Sequence, residues 1–178
     1  MESPIFHIAS DSGRSFAITI DEVEQVSDDL IRTLIDIDLQ TFSESTFSGY
    51  TARVLMLHGR VFLLRADGTV IGACVCMRSW ERPHEVTILS MGIRPGWRGR
   101  GLGQRFVAGI MARIKQKGLR SVTLLVSRDN RRAVRVYEDT GFEVVHELER
   151  DTRTGETFLF MRAHLQEMAP VTELPEPV

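Results

Sequence analysis

Cysteine is nearly missing from this chain: its 178 residues hold two, Cys74 and Cys76. They stand two apart in a strand-like run, so both side chains point to one face of a strand. That spacing argues against a disulfide framework and against a cysteine metal site, and it suits a reducing compartment. Long apolar runs are missing too. None approaches the ~18 residues that a membrane span needs, and the first residues lack the charged start and apolar core of a secretory signal. We therefore expect a soluble, cytoplasmic protein with no membrane partner and no metal. A third absence is local. Between Glu85 and Asp129 the chain holds no Asp or Glu but nine Arg or Lys, although its net charge is only −2. A stretch so one-sided suits a polyanionic ligand.

Inside that stretch lies Arg98-Gly99-Arg100-Gly101-Leu102-Gly103. The apolar run Val86 to Ile93 precedes it, and an amphipathic segment from Leu102 to Lys117 follows. The pattern is strand, glycine turn, helix N-terminus. The first N–H groups of a helix have no partner within it, and the dipole is positive there. Glycines without Cβ atoms let an anion approach the backbone closely. The stretch is not the phosphate loop that ends in Gly-Lys-Ser/Thr. Nor is it the dinucleotide pattern G-x-G-x-x-G, which needs an acid further on. It reads as a cradle for phosphate or pyrophosphate, with backbone N–H groups from Arg98, Gly99, Arg100, Gly101, Leu102, Gly103 and Gln104 and with charge added by Arg98 and Arg100. Nucleic acid is the rival for the basic region, but aromatic residues are not interleaved with its cations, and we expect no nucleic-acid partner.

The length and the 43% of hydrophobic residues suit one globular domain, which we place at residues 15–165. Residues 1–14 read as a flexible leader and residues 166–178 as a disordered tail. Phe16 to Ile20 is a first strand. Ser27 caps a helix with Asp28 and Asp29 in its first turn. Leu30, Ile31, Leu34, Ile35, Leu39 and Phe42 then recur at helical spacing, with Asp36 and Asp38 assigned to the other face. A second helix runs from about Tyr50 to His58. Val61 to Leu64 and Val70 to Met77 form a hairpin about Asp67-Gly68. Trp80 to His84 is a loop. Ser121 to Val126 is β-branched and unalternating, as a parallel strand buried on both faces would be. Asp129 or Asn130 caps a short helix to Thr140. Phe142 to Leu148 and Thr157 to Arg162 are closing strands joined by a turn at Thr154-Gly155. The order β-α-α-β-β-β-α-β-α-β-β predicts an α/β fold with a mixed sheet. In it the strands before and after the long basic helix are parallel.

Arg98-x-x-Gly101-x-Gly103 resembles the acyl-CoA pyrophosphate motif of the GNAT superfamily of N-acetyltransferases. Leu125-Val126-Ser127-x-x-Asn130-x-x-Ala133-x-x-x-Tyr137-x-x-x-Gly141-Phe142 is similar to the second half of that signature. The resemblance covers about Val70 to Arg162. Around Ile35 to Phe47 and from Glu85 onward the chain also resembles the enzymes that acetylate the N-terminal alanine of bacterial ribosomal proteins. What it implies is a twisted mixed sheet whose parallel strand pair splays apart and takes acetyl-CoA in the gap. The activity implied is acetyl transfer to a primary amine, on a protein N-terminus or a small molecule. The alternative is an acyl-CoA-binding module without turnover. A monomer or a homodimer fits either.

Such a reaction needs a held cofactor, a polarised carbonyl, a deprotonated amine and a stabilised thiolate. The resemblance implies that the backbone of Met91, Gly92 and Ile93 binds the pantetheine, and that Asn130 touches the cofactor with its side chain. It implies that Tyr137 is the general acid. The ribosomal-protein enzymes carry a glutamate base where this chain has Leu125. Glu85 is therefore the first candidate for the base, with His84 beside it, and a water held by Ser90 is a further route. The acids of the first helix, with Glu44, are candidates for attracting a cationic amine. Arg128, Arg131, Arg132 and Arg135 are candidates for the adenosine 3′-phosphate.

Overall fold

The computed structural model describes residues 6–9, 13–42, 47–152 and 155–165. Eight strands form one sheet in the order β1-β2-β3-β4-β5-β6-β8-β7. They are β1 (Phe6–Ala9), β2 (Ser15–Glu22), β3 (Arg60–Ala66), β4 (Thr69–Arg78), β5 (Glu85–Ile93), β6 (Ser121–Ser127), β7 (Glu143–Glu147) and β8 (Phe158–His164). Among the described residues only the β5–β6 pair is parallel; every other neighbouring pair is antiparallel. Four helices cover the faces: α1 (Asp28–Thr41), α2 (Gly49–His58), α3 (Leu102–Gln116) and α4 (Arg131–Asp139). This is the mixed α/β sheet that the element order predicted.

Local chemistry explains the elements. Ser27 Oγ accepts from Leu30 N at 3.2 Å and Ser48 Oγ from Thr51 N at 3.1 Å, so each of the first two helices starts on a serine cap. The β3–β4 hairpin turns through Asp67 and Gly68, whose φ angles of 45° and 81° are those of a tight turn matched to strand twist. The central strands are apolar without alternation because both of their faces are covered. Val61, Leu63, Ala73 and Val75 pack with Ile31, Leu34 and Ile37 of α1 and with α2. The intervening Phe62, Leu64, Cys74 and Cys76 pack with Phe106, Ile110 and Ile114 of α3 and with Tyr137 of α4. Cys74 and Cys76 are buried free thiols on one face, with sulfurs 3.7 Å apart.

Several expectations need correction. Residues 6–9 of the expected leader form β1, paired antiparallel with β2 from Phe6↔Ile18 to Ala9↔Ser15. Four residues are too few for a period to show, and the edge of β2 supplies the hydrogen bonds. In α1 the apolar stripe is shifted. Leu39 is exposed, whereas Asp38 is only 2% exposed and lies in line with buried Ile31 and Leu34. Position 38 is i+7 and i+4 from those two, so helical geometry carries it inward whatever its polarity. β6 is not buried throughout: Leu125 is 53% exposed. The 166–178 tail, Glu44 and Thr154 lie outside the described residues.

Candidate functional site

The parallel pair is short. Glu85↔Ser121 to Ile88↔Leu124 are in register, and beyond them β5 and β6 no longer pair. A bulge in β5 accompanies the split. Val75 of β4 stands opposite Ser90 but Cys76 stands opposite Ile88, so Leu89 is the extra residue. A bulge bends its strand and breaks the ladder locally. Leu89 is 45% exposed, and Leu125 lies just beyond the last residue of β6 paired in parallel to β5, so both rims of the gap carry an uncovered leucine. Ligands of open parallel sheets bind at the carboxyl ends of the strands, and here the gap opens at those ends.

The same end of the sheet receives two helix N-termini. β5 runs through a 3-10 turn at Pro95–Trp97 into the glycine turn and α3. Gly99 and Gly101 have φ angles of 84° and 70°, which only glycine adopts without strain. Gly101 stands at the N-cap of α3 with no side-chain cap, so the first amides of the helix remain free for an anion. A Cβ built at Gly101 meets nothing within 4 Å, which leaves the cradle open above it. A Cβ at Gly103 would sit in ordinary contact, 3.6 Å from the methyls of Val136, so position 103 lies at the contact of α3 with α4. Gln104 Nε2 donates to Asp139 Oδ2 at 2.6 Å across the same contact.

The expected cations divide. Arg98 points away from the cradle: its Nε donates to Ile93 O at 2.7 Å and its NH2 to Gln40 O at 3.0 Å, tying β5 to the end of α1. Arg94 pairs with Asp36 at 2.6 Å and Arg128 with Glu147 at 3.0 Å. Arg100 lies over Trp97 at 5.5 Å and Arg105 over Phe6 at 4.9 Å. Arg131, Arg132 and Arg135 line α4 on its exposed side. Arg98 thus brings neither charge nor a free amide to the turn, because its own N–H donates to Pro95 O at 3.2 Å, and the expected cradle loses its first donor. At Gly92 a side chain would collide with Thr41 Oγ1, so this glycine serves the close packing of α1 on β5.

Asn130 caps α4, accepting from Ala133 N at 3.1 Å through Oδ1, which leaves its amide NH2 for a ligand. Tyr137 lies two turns further along α4. It is 7% exposed, with its ring 5.6 Å from that of Phe142. Burial pushes its phenol well above the ordinary range, and the neighbouring thiols Cys74 and Cys76 add to the shift. Those cysteines stand opposite Met91 and Ile88, on either side of the Leu89 bulge, so the phenol sits beside the gap. No fully covered side-chain N or O atom lacks a hydrogen-bond partner among the described residues.

Glu85 is at the other end. Its Oε2 accepts from Ser121 Oγ at 3.3 Å and Arg162 Nε at 3.2 Å, and Arg82 lies 3.6 Å away. It clamps the closed end of the parallel pair, five residues before Ser90. At the strand rise of ~3.3 Å per residue that is about 16 Å from the gap. His84 stays with it, its carbonyl accepting from Arg120 N at 2.8 Å. The structure therefore does not bring the expected base to the expected acid. What sequence reasoning missed is Ser90 Oγ donating to buried Asp38 Oδ1 at 3.2 Å. A cavity of about 800 Å³ also lies at the closed end, but Glu22 there already bridges Arg60 and Lys117 at 3.1 and 3.0 Å. Among the described residues no group of three or more His, Cys, Asp or Glu could hold a metal ion, and no helix is long and apolar enough to cross a membrane.

The profile of the acetyltransferase (GNAT) family matches residues 24–142. The mycothiol acetyltransferase of Streptomyces coelicolor is 39% identical over 94 residues, which is 52% of this chain and 29% of that protein. The match thus spans less than a third of that relative. Among solved structures, the ribosomal-protein-S18-alanine N-acetyltransferase of Escherichia coli superposes with a TM-score of 0.72 at 18% identity, over 89% of this chain and 99% of that one. An acetyltransferase of Bacillus subtilis in complex with CoA gives 0.66 at 16% identity, over 83% and 98%. At such identities the likeness is one of fold.

Proposed function

The chain belongs to the acetyltransferase (GNAT) family, and from that premise we propose that it transfers an acetyl group from acetyl-CoA to a primary amine. The observation that carries this is the splay of β5 from β6 after Ile88 and Leu124, with the uncapped glycine turn at one side and Tyr137 at the other. The residues fit the cosubstrate. Free amides from Gly99 to Gln104 suit its pyrophosphate, and exposed Leu89 and Leu125 suit the aliphatic segments of its pantetheine arm. Met91 to Ile93 are paired to β4 on one edge, and their other edge, where β6 has parted from β5, can hold that arm, although Arg98 already takes the Ile93 carbonyl. The Asn130 amide and the arginines of α4 face the remaining polar parts.

Burial keeps the Tyr137 phenol protonated, so a donor is in place for the departing sulfur, while the same shift makes it a weaker acid than a free phenol. Donors fixed before the reaction need no reorganisation during it. The acceptor is a protein N-terminus or a small amine, and the two free buried thiols suit a cytoplasmic setting. An acyl-CoA-binding module without turnover is the second reading, favoured by Leu125 where related enzymes place a glutamate. The test is thiol release from acetyl-CoA across a panel of amines and peptides. We expect release with at least one acceptor. A melting shift with acetyl-CoA but no release with any acceptor would establish the binding module instead.

A further inference from the structure

Asp38 stands in the last turn of α1, where a carboxylate runs against the negative end of the helix dipole. It is 2% exposed, and burying a charge is costly unless something is gained by it. Its Oδ1 accepts from Ser90 Oγ at 3.2 Å. Ser90 follows the Leu89 bulge, at the point where β5 leaves β6. It stands opposite Val75, which packs toward α1 and α2, whereas Tyr137 packs with Cys74 and Cys76 on the other face. One gap is therefore flanked from the two faces of the sheet. The α4 face brings a phenol that keeps its proton, and the α1 face brings a hydroxyl already donating to a carboxylate. Because Ser90 gives its hydrogen to Asp38, its lone pairs are left to accept one from a ligand.

We propose that Ser90 and Asp38 together take the proton from the acceptor amine, which enters from the α1–α2 face. This rests on the acetyltransferase function proposed above. An ammonium N–H passes its proton to Ser90 Oγ as Ser90 passes its own to Asp38 Oδ1, leaving Asp38 neutral and the amine free. The nitrogen lone pair forms the C–N bond, and the C–S bond breaks. The sulfur takes the Tyr137 proton, and the second proton leaving the nitrogen restores the phenol through water. Asp38 then returns its proton to solvent. Ammonium and thioester become amide, thiol and one released proton. Ser90 is the catalytic residue of the couple, and Asp38 is a positioning residue acting through it.

Among the described residues, the charged groups nearest this couple are engaged elsewhere. Asp36 is paired with Arg94, and Arg98 from the glycine turn bonds Gln40 O and Ile93 O. β4 brings only the thiols and apolar side chains at this level, and Glu85 is held by Arg162 at the far end. The pH profile therefore separates this couple from a packing role. In Asp38→Asn and in Ser90→Ala we expect turnover at pH 7 to fall by ~10²-fold or more. The remaining rate should climb about tenfold per pH unit up to the amine's own pKa, since only amine that is already neutral can react. The acetyl-CoA melting shift should match the wild type in both. Near-normal turnover and an unchanged profile in either variant, with wild type active, would overturn the proposal alone. If Asp38→Asn does not fold, Ser90→Ala decides. A wild type that binds acetyl-CoA yet turns over no amine would overturn the acetyltransferase function and this proposal with it.

Discussion

The two ends of the β5–β6 pair are built for opposite purposes. At the closed end four residues of each strand run in register, and Glu85 is locked between Ser121 and Arg162 with its side chain 10% exposed. At the open end the strands part at a bulge, leucines are left uncovered, and hydroxyls and free amides face the gap. The same βαβ unit supplies both. The closed end holds Glu85 in an ion pair, and the open end carries the groups that the proposed reaction needs. A buried carboxylate thus serves an ion pair in one place and, in our proposal, proton transfer in another, and burial alone does not tell them apart. Glu85 is held by a guanidinium, whereas Asp38 accepts from a hydroxyl that stands at the gap.

That contrast can be broken most sharply at Tyr137. Tyr137→Phe should lower turnover by about 10²-fold to 10⁴-fold with acetyl-CoA affinity and melting temperature nearly unchanged, because Phe fills the same space against Phe142. In the wild type, turnover should show no loss below about pH 10 for want of the phenol proton, since burial holds the protonated form. Glu85→Gln should do the reverse. Arg162 loses its charged partner, so stability should fall by about 2 kcal/mol in chemical denaturation, while turnover and pH profile remain those of the wild type. A large loss of rate without loss of stability would move the chemistry to the closed end. Gly101→Val should have the smallest effect of the three. A β-branched residue at a φ of 70° is strained by roughly 1–2 kcal/mol, and acetyl-CoA titration should show affinity falling by about tenfold or more as the valine covers the first amides.

Much of the open end was legible in the sequence because its signals are local. A glycine turn between an apolar run and an amphipathic segment defines a helix N-terminus within a few residues. Asn130 and Tyr137 lie seven apart on one short helix, and Asp67-Gly68 fixes a hairpin by its own backbone preferences. The losses came where position depends on distant partners. Glu85 looked available because its partner Arg162 is 77 residues away. Arg98 looked like a ligand for phosphate because Gln40, which its guanidinium meets, is 58 residues away. Asp38 looked solvated because apolar counting skips a polar residue in a buried stripe, although its spacing from Ile31 and Leu34 already pointed inward. The bulge at Leu89 leaves no composition signal, since it is a property of two strands together.

Amide hydrogen exchange with and without acetyl-CoA tests the division of the strand pair most directly. Added ligand should protect Leu89–Ile93 of β5 and the turn from Gly99 to Gln104, and should leave Glu85–Ile88 as they were. Binding that protects neither the turn nor the residues after the bulge, or that protects the Glu85 end instead, would contradict the assignment of the gap as the acetyl-CoA site.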